Sequence, residues 1–321
     1  MIPIPEMGRP PLMHPLSPYL PFNRESLAGR FVPAGSGAEP STVEGSWVVV
    51  QGQALLVQSG GADGGKRVEQ AWHLPRGPLP EGMAANLDPV IYLGTYLEQP
   101  CWAAGLAPEA AFPPGLQAES LLPAKTRLRD DVLSLGGLAH QALHWETTSR
   151  HCPRCGAATT RLAGEWGKHC PQCRFDHYPH LHPAIIVLVR DGERVLLTRK
   201  SFWPPRRYGL VAGFLDIGES FEGAVHREVG EEVGVRVRDL RYVGSQYWPF
   251  PSQIMVGFTA QYAEGDLQVN RSELEDARWF SIHALPDLPP RLSIARFILD
   301  RYAIPTDAAP TATGGGIDPS R

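Results

Sequence analysis

Nowhere does the chain hold an unbroken run of about 18 apolar residues, the least a membrane-crossing helix needs, so no such helix is expected. Positive charge is not in excess either. Thirty Lys and Arg against 34 Asp and Glu leave a formal net charge of −4, with a sequence pI near 6.3. Such a balance provides no global field to gather nucleic-acid phosphates, so any phosphate chemistry has to be local or use a metal as its positive charge. The opening MIPIPEMGRPPLMHPLSPYLPF lacks a basic segment followed by an apolar one. No secretory signal is read there, and the cytoplasm is the expected compartment. Cysteine is scarce, with 5 in 321 residues. What is plentiful is apolar: 43% hydrophobic against 20% charged residues is a core-forming composition, not that of a disordered chain. The 33 Gly and 32 Pro are concentrated unevenly, many of the prolines before residue 40.

Four of the five cysteines are paired in sequence. Cys152 and Cys155 stand in CPRC, Cys170 and Cys173 in CPQC, and fourteen residues separate the pairs. Two thiolates at this spacing can bend round one ion through a tight turn, and two such pairs complete a tetrahedral shell for Zn²⁺. Two disulfides are the bland alternative, and they need an oxidising compartment for which the chain carries no signal. A shell filled by four cysteines has no position open for water, so one structural Zn²⁺ is expected. His151, His169 and His177 are then ordinary surface histidines, and the lone Cys101 is a small buried side chain.

Along the chain, residues 1–40 read as a flexible proline-rich leader. A small α+β domain is expected over 41–120, with β-rich segments WVVVQGQALLV from Trp47 and VIYLGTYL from Val90. Residues 121–150 carry apolar side chains at helical spacing (Leu128, Val132, Leu135, Leu138, Ala142), which predicts a linking helix with a weak point at Gly136-Gly137. A zinc ribbon at 151–178 and a domain over 179–302 follow, and the end, 303–321, reads as unstructured. No internal repeat is visible.

The most informative segment is GFLDIGESFEGAVHREVGEEVGV, Gly213 to Val235. Ser220 suits a helix N-cap and Gly234 a C-terminal stop, and Phe221, Ala224, Val225, Val229 and Val233 form an apolar stripe. Glu228 and Glu232 share a face, as do Arg227 and Glu231. Charge runs are usually solvated surface. Here, however, a glycine-rich turn precedes the helix and an arginine sits inside the acidic cluster. Crowded carboxylates repel one another unless a cation intervenes, and several oxygen ligands on one turn suit Mg²⁺ or Mn²⁺.

The pattern G-x5-E-x7-R-E-V-x-E-E-x-G-V resembles the Nudix box at every fixed position. The resemblance to the Nudix hydrolase family implies an α/β/α sandwich, here within an α+β chain that carries a four-cysteine zinc ribbon and a small N-terminal α+β domain ahead of it. It implies Glu228 and Glu232 as metal ligands, Glu231 as ligand or base, and Arg227 and Glu219 as orienting groups. Downstream, SQYWPFPSQIM (Ser245–Met255) reads from its residues alone as a strand end with a proline-stiffened loop. It is also similar to the SQPWPFP motif of the NADH pyrophosphatase subfamily, the NAD-capped RNA hydrolases, whose members carry the four-cysteine ribbon. Tyr247 departs from the motif's proline.

That likeness implies hydrolysis of NADH or NAD⁺ to nicotinamide mononucleotide and AMP with two or three Mg²⁺ or Mn²⁺ ions, removal of NAD caps from RNA, and a homodimer. It implies that Phe214 and Tyr178, the latter offered by the partner subunit, sandwich the nicotinamide. Gln246, Tyr247, Trp248, Pro249, Phe250, Pro251, Ser252 and Gln253 would line the nucleotide pocket. Glu165, the Ala295 backbone and the Ala212 carbonyl would touch substrate or metal, and Glu273 would be a further metal ligand. His226 and Trp203 are read as packing or surface residues, and Glu275 as a solvated charge. The other readings are a Nudix hydrolase of ADP-ribose or diadenosine compounds, and a non-catalytic nucleotide sensor.

Overall fold

The computed structural model describes residues 19–34, 40, 42–59, 72–79 and 83–303. The tail from residue 304 and most of the expected leader lie outside them.

Eight strands build the first sheet: β1 (Phe31–Pro33), β2 (Glu44–Gln51), β3 (Ala54–Ser59), β4 (Trp72–His73), β5 (Arg76–Pro78), β6 (Leu87–Tyr96), β7 (Gln99–Leu106) and β8 (Leu116–Ser120). Their order is β1-β6-β7-β2-β3-β4, with β5 beside β2 and β8 beside β3. β2 runs parallel to β7, while the other pairs are antiparallel. Along β2 the side chains alternate as a pleated strand requires: Val48 and Val50 join one buried cluster, Trp47 and Val49 another. Cys101 is fully buried, and burial pushes its thiol up to about 12, so it is an inert core residue.

Helix α1 (Asp130–Thr148) covers the first of these faces through Val132, Leu133, Leu135, Ala139 and Leu143. It does not weaken at Gly136-Gly137. A Cβ at 136 would lie 2.6 Å from a Leu121 methyl, and one at 137 would overlap the Phe22 ring and lie 2.9 Å from Pro249. The glycines admit neighbouring groups, which offsets their cost of roughly 1 kcal/mol each in a helix. Residues 19–34, assigned to the leader from sequence, are integrated into the fold. Leu20 and Phe22 are buried, Phe22 N donates to Ser134 Oγ on α1 at 2.9 Å, and β1 pairs with β6.

The ribbon is a three-stranded sheet of β9 (Thr160–Arg161), β10 (Lys168–His169) and β11 (Asp176–His177). It docks on α1 through an ion pair of the buried Lys168, whose Nζ lies 2.5 Å from Oε1 of the partly buried Glu146. His177 is therefore not a surface residue: its ring stands edge-on to Trp145, centroids 4.7 Å apart.

The remaining elements are β12 (His182–Asp191), β13 (Arg194–Arg199), β14 (Val211–Phe214), α2 (Phe221–Val233), β15 (Arg236–Trp248), β16 (Gln253–Glu264), β17 (Asp276–Ser281) and α3 (Ile294–Ile298). The sheet runs β15-β16-β12-β13-β17, with β14 on β12; β12 and β16 are parallel. β12 is buried on both faces, with Ile185, Val187 and Val189 under α2 and Ile186 and Leu188 under α3. An α/β/α sandwich results. No helix among the described residues is long and apolar enough to cross a membrane.

Candidate active site and zinc centre

Local sequence sets α2 as expected. Ser220 Oγ accepts from Gly223 N at 3.0 Å, and Gly234 closes the helix in the left-handed region at φ 74°. Ala224, Val225, Val229 and Val233 are fully buried, while Phe221, placed in the same stripe from sequence, stays partly outside. That docking turns Glu228 and Glu232 inward.

Ligand oxygens of Glu228, Glu232 and Glu273 lie within 4.8 Å of one another. Glu273 arrives from the segment before β17, about forty residues further along the chain. Glu232 Oε2 is buried without a hydrogen-bond partner, and Lys200 Nζ stands 3.9 Å from Oε1. Burial, then the charges of Glu228 and Glu273, push the Glu232 carboxyl up to about 7 against the opposing pull of Lys200. Burial likewise raises Glu228. An orphaned buried oxygen among three converging carboxylates fits a hard divalent cation, which would return both acids to their charged form.

Arg227 organises this cluster. Its Nε and Nη2 donate to the two oxygens of Glu219 at 2.9 and 2.8 Å, Nη1 to Glu228 at 2.9 Å and to Glu231 at 3.0 Å, and Nη2 to the Phe214 carbonyl at 2.8 Å. Its hydrogen bonds hold the Glu219 carboxyl below its ordinary range. Glu231 is mostly exposed and stands outside the three-carboxylate set, held only on the arginine.

Beside the carboxylates opens a cavity of about 520 Å³, walled by Lys200, Trp203, Ala212, Gln246, Trp248, Gln253, Met255 and Ala295 among others. Trp203 is thus a wall residue, and Gly209 makes room for it: a Cβ there would lie 2.8 Å from the indole. Neither Lys200 nor Trp203 carries a local signal in the sequence, since each acquires its place from a distant partner.

The SQYWPFP segment is divided between the cavity and the interior. Gln246 is fully buried; its Nε2 donates to the Pro21 and Leu292 carbonyls at 2.8 and 2.7 Å, and Oε1 accepts from Ile294 N at 2.7 Å. Trp248 and Phe250 meet Phe22 edge-on at 5.6 and 5.4 Å, and the Pro249 carbonyl lies 2.7 Å from His140 Nδ1. Tyr247 is half-buried against the first domain, and Ser252 Oγ lies 2.8 Å from His182 Nδ1. Pro251 is exposed beyond the cis Phe250-Pro251 peptide. Phe214 and Tyr178 are about half exposed and line no wall of this cavity; Tyr178 Oη donates to Glu165 Oε2 at 3.1 Å.

In the ribbon the four sulfurs lie within 4.8 Å of one another, Cys152 to Cys173 at 3.6 Å and Cys155 to Cys170 at 3.5 Å. Tetrahedral Zn–S bonds of about 2.3 Å put sulfurs about 3.8 Å apart, so the cluster fits Zn²⁺ closely. All five cysteines are free of disulfides. Backbone N–H groups of Arg154 and Cys173 point at Cys152 and Cys170 sulfurs at 3.4 and 3.5 Å, and the Cys173 amide is the first cause of a Cys170 thiol lowered to about 6.

Comparison with known families agrees with this geometry. Residues 180–300 match the NUDIX domain, 147–178 the NADH pyrophosphatase zinc ribbon domain, and 44–145 the NADH pyrophosphatase-like rudimentary NUDIX domain. The last match accounts for a repeat invisible in the sequence: both halves pair a central strand in parallel across a helix-covered sheet. The protein named NAD-capped RNA hydrolase NudC from Pseudomonas aeruginosa PAO1 is 38% identical over 277 residues, 86% of this chain and 95% of that one. The one from Deinococcus radiodurans is 40% identical over 228 residues, 70% and 81% of the two chains. The one from Pseudomonas syringae pv. tomato is 46% identical over 179 residues, 56% of this chain and 64% of that relative, under two thirds of its length. The chain belongs to the Nudix hydrolase family, in its zinc-ribbon subfamily of NADH pyrophosphatases and NAD-capped RNA hydrolases.

Proposed function

We propose that this protein hydrolyses the diphosphate of NADH or NAD⁺ to nicotinamide mononucleotide and AMP, and cleaves the same bond where NAD caps an RNA 5′ end. The observation that carries the reading is the convergence of Glu228, Glu232 and Glu273 beside an apolar cavity of about 520 Å³, a volume suited to a nucleotide half. The relatives' printed name, NAD-capped RNA hydrolase, supports it.

The three carboxylates would hold Mg²⁺ or Mn²⁺, which when bound would supply charge to neutralise the diphosphate oxygens and lower the pKa of an attacking water. Arg227 fixes Glu228 by a direct hydrogen bond, so the carboxylate needs little reorganisation as substrate arrives. Lys200 adds a positive charge at the edge of the cavity, where a diphosphate oxygen would enter. Trp203 and Trp248 offer aromatic surface for a flat base or nicotinamide, an interaction worth roughly 1–3 kcal/mol per base. Phe214 and Tyr178, exposed and not among the cavity's wall residues, are read as meeting across a homodimer, and the cytoplasm as the working compartment.

The test is product analysis. AMP and nicotinamide mononucleotide should form from NADH with Mn²⁺, and Glu232→Gln should stop their release while circular dichroism stays unchanged. Undiminished turnover in that variant would refute the assignment.

A further inference from the structure

A second cavity, about 700 Å³, lies next to the first and has opposite chemistry. Arg199, Arg206, Arg271 and Arg278 line it together with Glu275 and Asp276, so four cations face two carboxylates in a chain whose net charge is −4. Glu275, read as a solvated charge from sequence, is paired with Arg199, and Asp276 with Arg278 at 2.6 Å. Among the described residues the Arg271 guanidinium donates to the Glu275 backbone carbonyl and makes no ion pair. Arg206 makes no side-chain hydrogen bond or ion pair among the described residues.

Two dipeptides separate the cavities. In Arg199-Lys200 and again in Arg206-Arg207, the first residue lines the arginine cavity and the second lines the cavity beside the carboxylates. Lys200 is the residue 3.9 Å from Glu232, and Glu275 N donates to the Arg199 carbonyl at 2.8 Å, so the strip from Glu273 to Asp276 is fastened to the same edge.

Arg206 sits in this wall at a conformational cost. Arg207 N donates to the Pro204 carbonyl at 3.2 Å, which closes a turn with Pro205 second and Arg206 third. Arg206 has φ 66°, the left-handed conformation that this turn position reserves for glycine. A long charged side chain held there, exposed and unpaired, is strain without a structural return.

We propose that the arginine cavity binds phosphodiester groups of the RNA strand that continues from a nucleotide seated at the carboxylates, with Arg206 and Arg271 as its free cations. The inference rests on the capped-RNA part of the proposed function and gives it a location. Free dinucleotide has no phosphate beyond its diphosphate, which sits at the carboxylates, and does not need this cavity.

The test uses Arg206→Gly, which removes the charge and places the preferred residue in the turn, so folding is kept, and Arg206→Lys, which restores a charge. Steady-state rates are measured on free NAD⁺ and on a short NAD-capped oligoribonucleotide over a salt series. For Arg206→Gly, kcat/KM on NAD⁺ should match the parent protein. On capped RNA it should fall roughly tenfold at low salt, largely through KM, with a log–log salt slope shallower by about 0.7. Arg206→Lys should recover most of the loss. Equal rates and slopes on capped RNA for parent and glycine variant would overturn the proposal.

Binding of an uncapped 5′-monophosphate oligoribonucleotide, read by anisotropy with inorganic phosphate as competitor, stands apart from catalysis. If the parent protein cleaves neither substrate, the functional reading fails, yet weaker oligonucleotide binding by Arg206→Gly would still uphold the cavity assignment. An Arg206-dependent site that takes inorganic phosphate but no oligonucleotide would overturn it in favour of a free anion.

Discussion

Gly213 lies directly against the Glu228 carboxyl group: a Cβ at position 213 would overlap its carbon and both oxygens. The first fixed glycine of the loop therefore serves the carboxylate fifteen residues later. β14 carries Gly213 past the middle of α2 so closely that only a hydrogen fits between the strand and the Glu228 carboxylate. Gly213→Ala should thus displace Glu228 while leaving both hydrophobic clusters of the sandwich intact. Activity on NADH should fall about 10²-fold, the scale set by misplacing a catalytic group by an ångström. A melting temperature within a few degrees of the parent protein, measured alongside the rate, separates this from unfolding.

Glu232 links function to pH. Its folded-state carboxyl is raised to about 7 from an ordinary value of 4.5, so the folded protein binds more protons than the unfolded chain between those values. Without metal, stability should fall as pH rises through this window, by on the order of 2–3 kcal/mol. Denaturation in chelator from pH 4.5 to 7.5 would measure this. Glu232→Gln should flatten the profile and raise the melting temperature in chelator, and Mn²⁺ should flatten it for the parent protein alone. A parent profile already flat in chelator would contradict the assigned burial cost.

The ribbon should retain one Zn²⁺ per chain through dialysis against Mg²⁺, as counted by plasma mass spectrometry. Cys173→Ser should lower that content and destabilise the junction at Lys168 and Glu146, because metal binding is the ribbon's main source of folding energy. Its sheet of three two-residue strands has little core of its own.

Asn23 ties the segment before the first domain to the aromatic-proline motif. Its Nδ2 donates to the Ser245 carbonyl at 3.0 Å, and its Oδ1 accepts from Tyr247 N at 2.7 Å. Asn23→Ala should cost about 1 kcal/mol or more in chemical denaturation, since it leaves the part-buried Tyr247 amide unpaired. It should also raise KM for NADH more than it lowers kcat, because Gln246 and Trp248 shape the cavity without touching the carboxylates.

Much of the site was legible because its chemistry is local. Arg227, Glu228, Glu231 and Glu232 lie within two turns of one helix, and Ser220 and Gly234 mark its ends, so spacing alone predicts which side chains share a face. The cysteine pairs are legible for the same reason: a knuckle closes over a few residues and the thiol demands little else. Separating Glu231 from the cluster of Glu228, Glu232 and Glu273 needed the fold. Arg227 draws it toward solvent while docking of the valine stripe turns Glu228 and Glu232 inward.

The identity of the chemistry, carboxylates for a divalent cation and thiolates for zinc, was determined by the sequence itself, since both depend on residue type at short spacing. Only the tertiary structure decided what the long-range neighbours do. Residues 19–34 became a tie between domains because Phe22 found the slot at Gly137. The WPFP aromatics turned partly inward because Phe22 and His140 receive them. Trp203, Lys200 and Arg206 became cavity walls because two strands and a proline turn bring them to one edge. Such contacts join residues more than two hundred positions apart. They depend on how whole faces pack, and no local pattern in the chain encodes that.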